Sequence, residues 1–121
     1  MIKFRSNCPL SRTLDVIGDK WTLLVLRDII AFQKTTFKEI SKMPEGIATN
    51  ILSDRLRKLV KDGFVTKTKS KTNKLVYHYM PTSKALDLMP AVMLMREWSE
   101  KYLYEKGEKP APIGVSGKKA I

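Results

Sequence analysis

The sequence predicts a mainly α-helical domain with one small β-hairpin, an α+β fold. Three observations lead there. Apolar residues recur at helical spacing through Leu59, the pattern turns strand-like after Gly63, and another helical stretch follows Pro81. The 121 residues suit one domain with an added helix. With 43% hydrophobic and 29% charged residues, the chain supports a core and is not of disordered composition.

The first eight residues are short and basic, with Lys3 and Arg5. A helix is expected from Cys8-Pro9, with Ser11 as N-cap and Leu10, Leu14, Val16 and Ile17 as its apolar side. Gly18-Asp19 ends it. The following stretch, KWTLLVLRDIIAF, is apolar almost all round and predicts a central core helix. Its few polar positions argue against a functional site there. Thr36 and Glu39 have the spacing of a capping box, so a short helix starts at Thr36. Phe37, Ile40 and Met43 form its inner edge, and Pro44-Glu45-Gly46 makes a turn. Beyond it, Leu52, Leu56 and Leu59 define the buried face of a helix that stops at Gly63. The opposite face carries Asn50, Ser53, Asp54, Arg57 and Lys61. Two helices around a tight glycine-containing turn, the second amphipathic and basic, form a helix-turn-helix.

Phe64, Val65, Thr66 and Thr68 suit a strand, as do Leu75, Val76, Tyr77 and Tyr79. The polar segment from Lys69 to Lys74 joins them as a cationic hairpin tip. A helix-turn-helix followed directly by such a hairpin is a winged helix-turn-helix. Pro81-Thr82 closes the second strand, and Thr82 or Ser83 caps a further helix. Leu86, Met89, Val92, Met93, Met95, Trp98, Tyr102 and Leu103 give that helix more than one apolar stripe, more than so small a domain can cover. Such surface is expected to serve association. Pro90 should kink or divide the helix. The domain is expected to span residues 1–105, with 106–121 a loose tail containing glycine and proline.

Lys and Arg number 23 against 12 Asp and Glu, a formal charge of +11. Such an excess repels itself, and a polyanion relieves the strain. Nucleic acid is the first partner this implies, an anionic membrane surface the second. Between Lys34 and Lys84 there are twelve cations against four anions, a net +8, so most of the excess lies in the elements that would face a duplex. No apolar run is long enough to span a bilayer, and the N-terminus has no secretory apolar region. One cysteine and one histidine assemble no soft-ligand metal cluster, and His78 reads as a hairpin residue. No nucleophile–base pair or phosphate loop is visible, so neither an enzyme nor a cofactor is expected. The cytoplasm is the expected compartment, on the nucleoid when bound to DNA.

An α-helix fits the major groove, where base edges present distinct donor and acceptor patterns. Thr49, Asn50, Ser53, Asp54, Arg57 and Lys58 are the recognition-helix candidates; Asn50 suits adenine and Arg57 suits guanine. Asp54 repels phosphate, so it either accepts from cytosine or holds Arg57 or Lys58 in place, and the second is the expected role. Lys69, Lys71, Asn73 and Lys74 form the wing set, the lysines suiting phosphate or minor-groove contact. Thr36, by its helix N-terminus, and Lys38 are candidates for the DNA backbone.

The run C-P-L-x-R-T-L-D-V-I-G-D-K-W-T-L-L-V-L-R-D, followed by F-K-E-I, G-I-A-T-N-I-L-S-D-R-L-R-K-L and D-G-F-V, closely resembles the HxlR family, a branch of the MarR-like winged-helix regulators of bacteria. The resemblance covers Cys8 to about Tyr102. It implies a homodimer on double-stranded DNA, paired through the N- and C-terminal helices, with two recognition helices and two wings, and repression as the commoner outcome. Two positions depart from the pattern. Ala48 stands where the family usually has Ser, which removes a cap unless Thr49 takes over. Pro81-Thr82-Ser83-Lys84-Ala85 replaces a Leu-Thr-x-x-Gly pattern, so an altered strand exit is expected. Family members carry a cysteine at the position of Cys8, and in several it senses oxidants or electrophiles. Here Lys3, Arg5, Arg12 and a nearby helix N-terminus are the features that would favour the thiolate. The bland reading is a structural thiol. Two rival functions stay open: a protein-docking module that uses the same surface without DNA, and a non-specific architectural DNA binder.

Overall fold

The computed structural model describes residues 2–112. In order, the elements are α1 (Pro9–Ile17), α2 (Thr22–Ile30), α3 (Phe37–Ile40), α4 (Thr49–Lys61), β1 (Val65–Lys69), β2 (Tyr77–Pro81), α5 (Ser83–Leu86) and α6 (Met89–Tyr102). The winged helix-turn-helix is therefore present: α3 and α4 form the motif, and the antiparallel β1–β2 hairpin forms the wing, with Val65 opposite Pro81 and Lys69 opposite Tyr77.

Apolar spacing explains the core. Val25, Leu26 and Ile29 of α2 meet Leu52, Leu56 and Leu59 of α4, with Ile40, Met43, Phe64, Val65, Tyr79, Ala85 and Met89 around them. As the sequence requires, α2 is the central element. Turn chemistry fixes the ends of α4. Gly46 before it and Gly63 after it both have positive φ, +73° and +82°, where a Cβ is strained. Beyond Gly63, the Phe64 amide returns to the Leu59 carbonyl and closes the helix. The capping box of α3 is complete: the Glu39 amide donates to Thr36 Oγ1, and Glu39 Oε1 accepts from the Thr36 amide.

Several boundaries differ from the sequence reading. The N-cap of α1 is Cys8, not Ser11, because Pro9 occupies the first turn, where its missing N–H costs nothing. Of the apolar side of α1, Ile17 is buried while Leu10 and Leu14 are exposed. At α4 the N-cap is Ala48 with no side-chain bond, and Thr49 does not take over the cap. Leu75 and Val76 belong to the hairpin turn, and Leu75 is almost wholly exposed. The turn closes through the bond from the Ser70 amide to the Val76 carbonyl, which leaves Tyr77 to open β2.

Pro90 divides the C-terminal helical region as expected, sitting in the first turn of α6. Thr82 instead donates Oγ1 to the Gly63 and Phe64 carbonyls, tying the strand exit to the end of α4. Met89 is the one buried residue of α6, whereas Leu94, Met95, Trp98 and Tyr102 are exposed. Residues 106–112 contain neither helix nor strand, and 113–121 of the expected tail lie outside the described residues. Among the described residues, no helix is long and apolar enough to cross a membrane.

Candidate nucleic-acid interface

Recognition begins with how α4 is held. Its apolar stripe is fully inside, which turns Thr49, Asn50, Ser53, Arg57 and Lys58 outward. Asp54 does hold Arg57, with Oδ1 2.5 Å from Nη2. It does not hold Lys58; its other oxygen takes Arg55 Nη1 at 2.6 Å. Arg55 is a correction to the charge reading. It lies three residues after Leu52 and four before Leu59, on the edge of the buried stripe, and its Nε reaches Asp19 at 2.8 Å.

Asp19 works twice. Its carboxylate also accepts from the Trp21 and Thr22 amides and from Thr22 Oγ1, so it caps the entry to α2. Burial raises the Asp19 carboxyl, but hydrogen bonds from Arg55, Thr22 and the Trp21 amide, with the Arg55 charge, outweigh it and hold it at about 2, below the ordinary 3.8. Because the folded value is depressed, the unfolded chain takes up the proton first. The stabilisation is full above the ordinary value and is lost as pH falls towards the folded one. The stability gap between wild type and Asp19→Asn should therefore narrow from pH 3.8 to about 2 in urea melts at stepped pH. A gap that stays constant over that range contradicts the assignment.

A second ion network lies inside α2, the helix that reads from sequence as almost wholly apolar. Asp28 is completely buried on α2 and accepts from Arg27 Nε and Nη2 and from Lys34 Nζ, all within 2.9 Å. Arg27 also forks onto Glu45, with both bonds at 2.8 Å. Hydrogen bonds from Arg27 hold the Glu45 carboxyl below its usual range. The turn leading into α4 is thus clamped to the core helix. The sequence reading missed this, since an Arg-Asp pair within an apolar run gives no sign of its partners.

The wing brings further cations. Lys69, Lys71 and Lys74 are exposed on or beside the tip. Asn73 shapes the tip instead of only presenting a side chain, since its Oδ1 accepts from the Leu75 amide. Lys67, one of the twelve cations counted between Lys34 and Lys84 but not placed in the wing set, lines one cleft of about 280 Å³ with Ser53 and Arg57, over a floor that includes Leu56 and Tyr79. Its Nζ lies 4.3 Å from the Tyr77 ring centroid. Thr35 ties the wing to the start of α3: its carbonyl accepts from the Tyr79 amide, and its Oγ1 is 2.8 Å from His78 Nδ1. His78 is accordingly a hairpin residue.

Two expected roles are altered. Thr36 does not offer a free amide to phosphate, because Glu39 Oε1 occupies both the Thr35 and Thr36 amides. Those backbone bonds also hold the Glu39 carboxyl low, so it is an anion at that terminus. Lys38 remains exposed. Cys8 is exposed at the start of α1, but two of its neighbouring cations are engaged elsewhere. Arg5 pairs with Asp15, and Arg12 donates to the Ser6 carbonyl while stacking over Phe4.

Known proteins share this fold. The family model for HxlR-like helix-turn-helix proteins matches residues 16–107. YdeP of Bacillus subtilis, a helix-turn-helix-type transcriptional regulator, is 34% identical over 96 residues, covering 79% of this chain and 74% of YdeP. The crystal structure of PA1607 superposes with a TM-score of 0.80 at 32% identity, covering 97% of this chain and 81% of that one. The oxidised form of the redox regulator HypR gives a TM-score of 0.67 at 31% identity, covering 78% of this chain and 96% of that one. The family is one of DNA-binding regulators, not enzymes. With this fold, this charged face and a family match over most of its length, the chain belongs to the HxlR-like helix-turn-helix family of transcriptional regulators.

Proposed function

We propose that the protein is a sequence-specific transcriptional regulator that binds promoter DNA as a homodimer and acts, as a repressor, by occupying it. The observation that carries this reading is the outward, hydrogen-bonding face of α4 beside a lysine-tipped wing. Asn50 and Arg57 read base edges in the major groove, with Thr49 and Ser53 beside them and Asp54 as organiser. Lys58, Lys69, Lys71 and Lys74 neutralise phosphates, and Lys38 adds to them; Asn73 holds the wing tip in shape. The exposed apolar face of α6 and the exposed leucines of α1 support pairing of two copies. Two half-sites about 34 Å apart then meet two recognition helices. The protein works in the cytoplasm, at the nucleoid.

Arg57→Ala should lower discrimination between the preferred duplex and single-base variants by about 1–3 kcal/mol at the position it reads. Competition binding checks this, and equal losses on specific and random duplexes contradict the role.

Cys8 supplies a redox response. Its exposure and the likeness to HypR, a redox regulator, support it. Two Cys8 thiols give two protons and two electrons to hydrogen peroxide, forming one disulfide between subunits and two waters; a small thiol is the alternative partner. Mild oxidation should change the DNA affinity of wild type and not of Cys8→Ser. Identical responses contradict the sensor.

A further inference from the structure

We propose that Arg55 and Asp19, which themselves touch no base, are positioning residues for sequence recognition, acting on Arg57 through the ion-pair chain Asp19–Arg55–Asp54–Arg57. The proposal rests on the reading of Arg57 as a base contact. Successive links measure 2.8, 2.6 and 2.5 Å. Side-chain exposure is 32% at Asp19 and 20% at Arg55, then rises to 37% at Asp54 and 74% at Arg57. The chain is most sheltered at Arg55 and opens to solvent at Arg57.

The Asp19 end is fixed by backbone. Asp19 is locked by the Trp21 and Thr22 amides at the entry to α2. Arg55 then bridges two carboxylates with one planar guanidinium, using Nε for Asp19 and Nη1 for Asp54. Asp54 keeps its second oxygen for Arg57. An exposed arginine otherwise samples many rotamers, and ordering it on a base costs entropy that a prearranged partner removes. Two arginines and two carboxylates leave the chain neutral, so its contribution is geometry and not attraction for phosphate. A lysine at position 55 keeps the charge but loses the planar bridge.

The test uses a duplex selected from a random library and its single-base variants, with Arg55→Lys, Arg57→Ala and the double variant, each checked for folding by thermal melt. At the base pair whose discrimination Arg57→Ala abolishes, Arg55→Lys should lower discrimination about tenfold, part of the roughly 5- to 150-fold that a good base contact supplies. Discrimination elsewhere should hold, and the double variant should lose nothing more than Arg57→Ala alone. Equal weakening on every duplex, or a further loss in the double variant, overturns the chain. If Arg57→Ala alone changes discrimination nowhere, the base-contact reading fails and the chain fails with it, a result seen without touching Arg55. Should Arg55→Lys not fold, Asp19→Asn, which keeps the shape and removes the charge, enters the same comparison with the same outcomes.

Discussion

Leu56→Ala should destabilise the protein by about 3 kcal/mol, within the 2–5 kcal/mol range of buried leucine truncations. Leu56 is 2% exposed and lies midway along α4, facing the core shared with α2. Truncation removes its transfer free energy and leaves a cavity that neighbours on two helices and a strand cannot close without moving. Because the next residue along α4 is Arg57, on its exposed side, the interface loosens with the core. Urea unfolding measures the effect, and a loss below about 1 kcal/mol would mean that α4 is not anchored as described.

Replacing Lys69, Lys71 and Lys74 together with alanine should cost DNA affinity on the order of 10²- to 10³-fold at ~0.1 M salt. Each phosphate contact contributes roughly 0.9 to the slope of log affinity against log salt, so the slope should flatten by about 2.7. All three lysines are exposed at the hairpin tip, away from the core, so folding should be unchanged. Selected and unrelated duplexes should weaken by the same factor, since phosphate contacts position the protein and do not read sequence. A loss confined to the selected duplex would instead make the wing a base reader.

Periodic features were legible in the sequence. Leu52, Leu56 and Leu59 announced the buried face of α4, Thr36 and Glu39 the capping box, and Gly63 the helix stop, because each is local and short in range. The run of apolar residues in α2 likewise placed that helix at the centre. Side-chain pairings across distance were not legible. Asp19 and Arg55 are 36 residues apart, and Arg27 and Glu45 are 18 apart, so only the packing of α2 against the helix-turn-helix brings them together. One clue was available: Arg55 shares the edge of the leucine stripe, where a cation needs a partner. The hairpin register was also hidden, because Leu75 and Val76 suit a strand by propensity while the Ser70 and Asn73 bonds settle the turn.

Association follows the same logic. Trp98 and Tyr102 lie side by side with ring centroids 5.6 Å apart and planes inclined at 45°, both exposed on α6. That aromatic surface in water supports the proposed pairing of two copies, whose two-fold symmetry two half-sites of a near-palindrome would match.

Sequence-specific binding is tested most directly by titrating the full chain, at several salt concentrations, against a duplex selected from a random library and against a scrambled duplex of equal length. Both should bind at low salt, both should weaken as salt rises, and the selected duplex should stay tighter throughout. No binding to either at low salt would contradict the DNA reading, and equal binding to both would contradict its specificity.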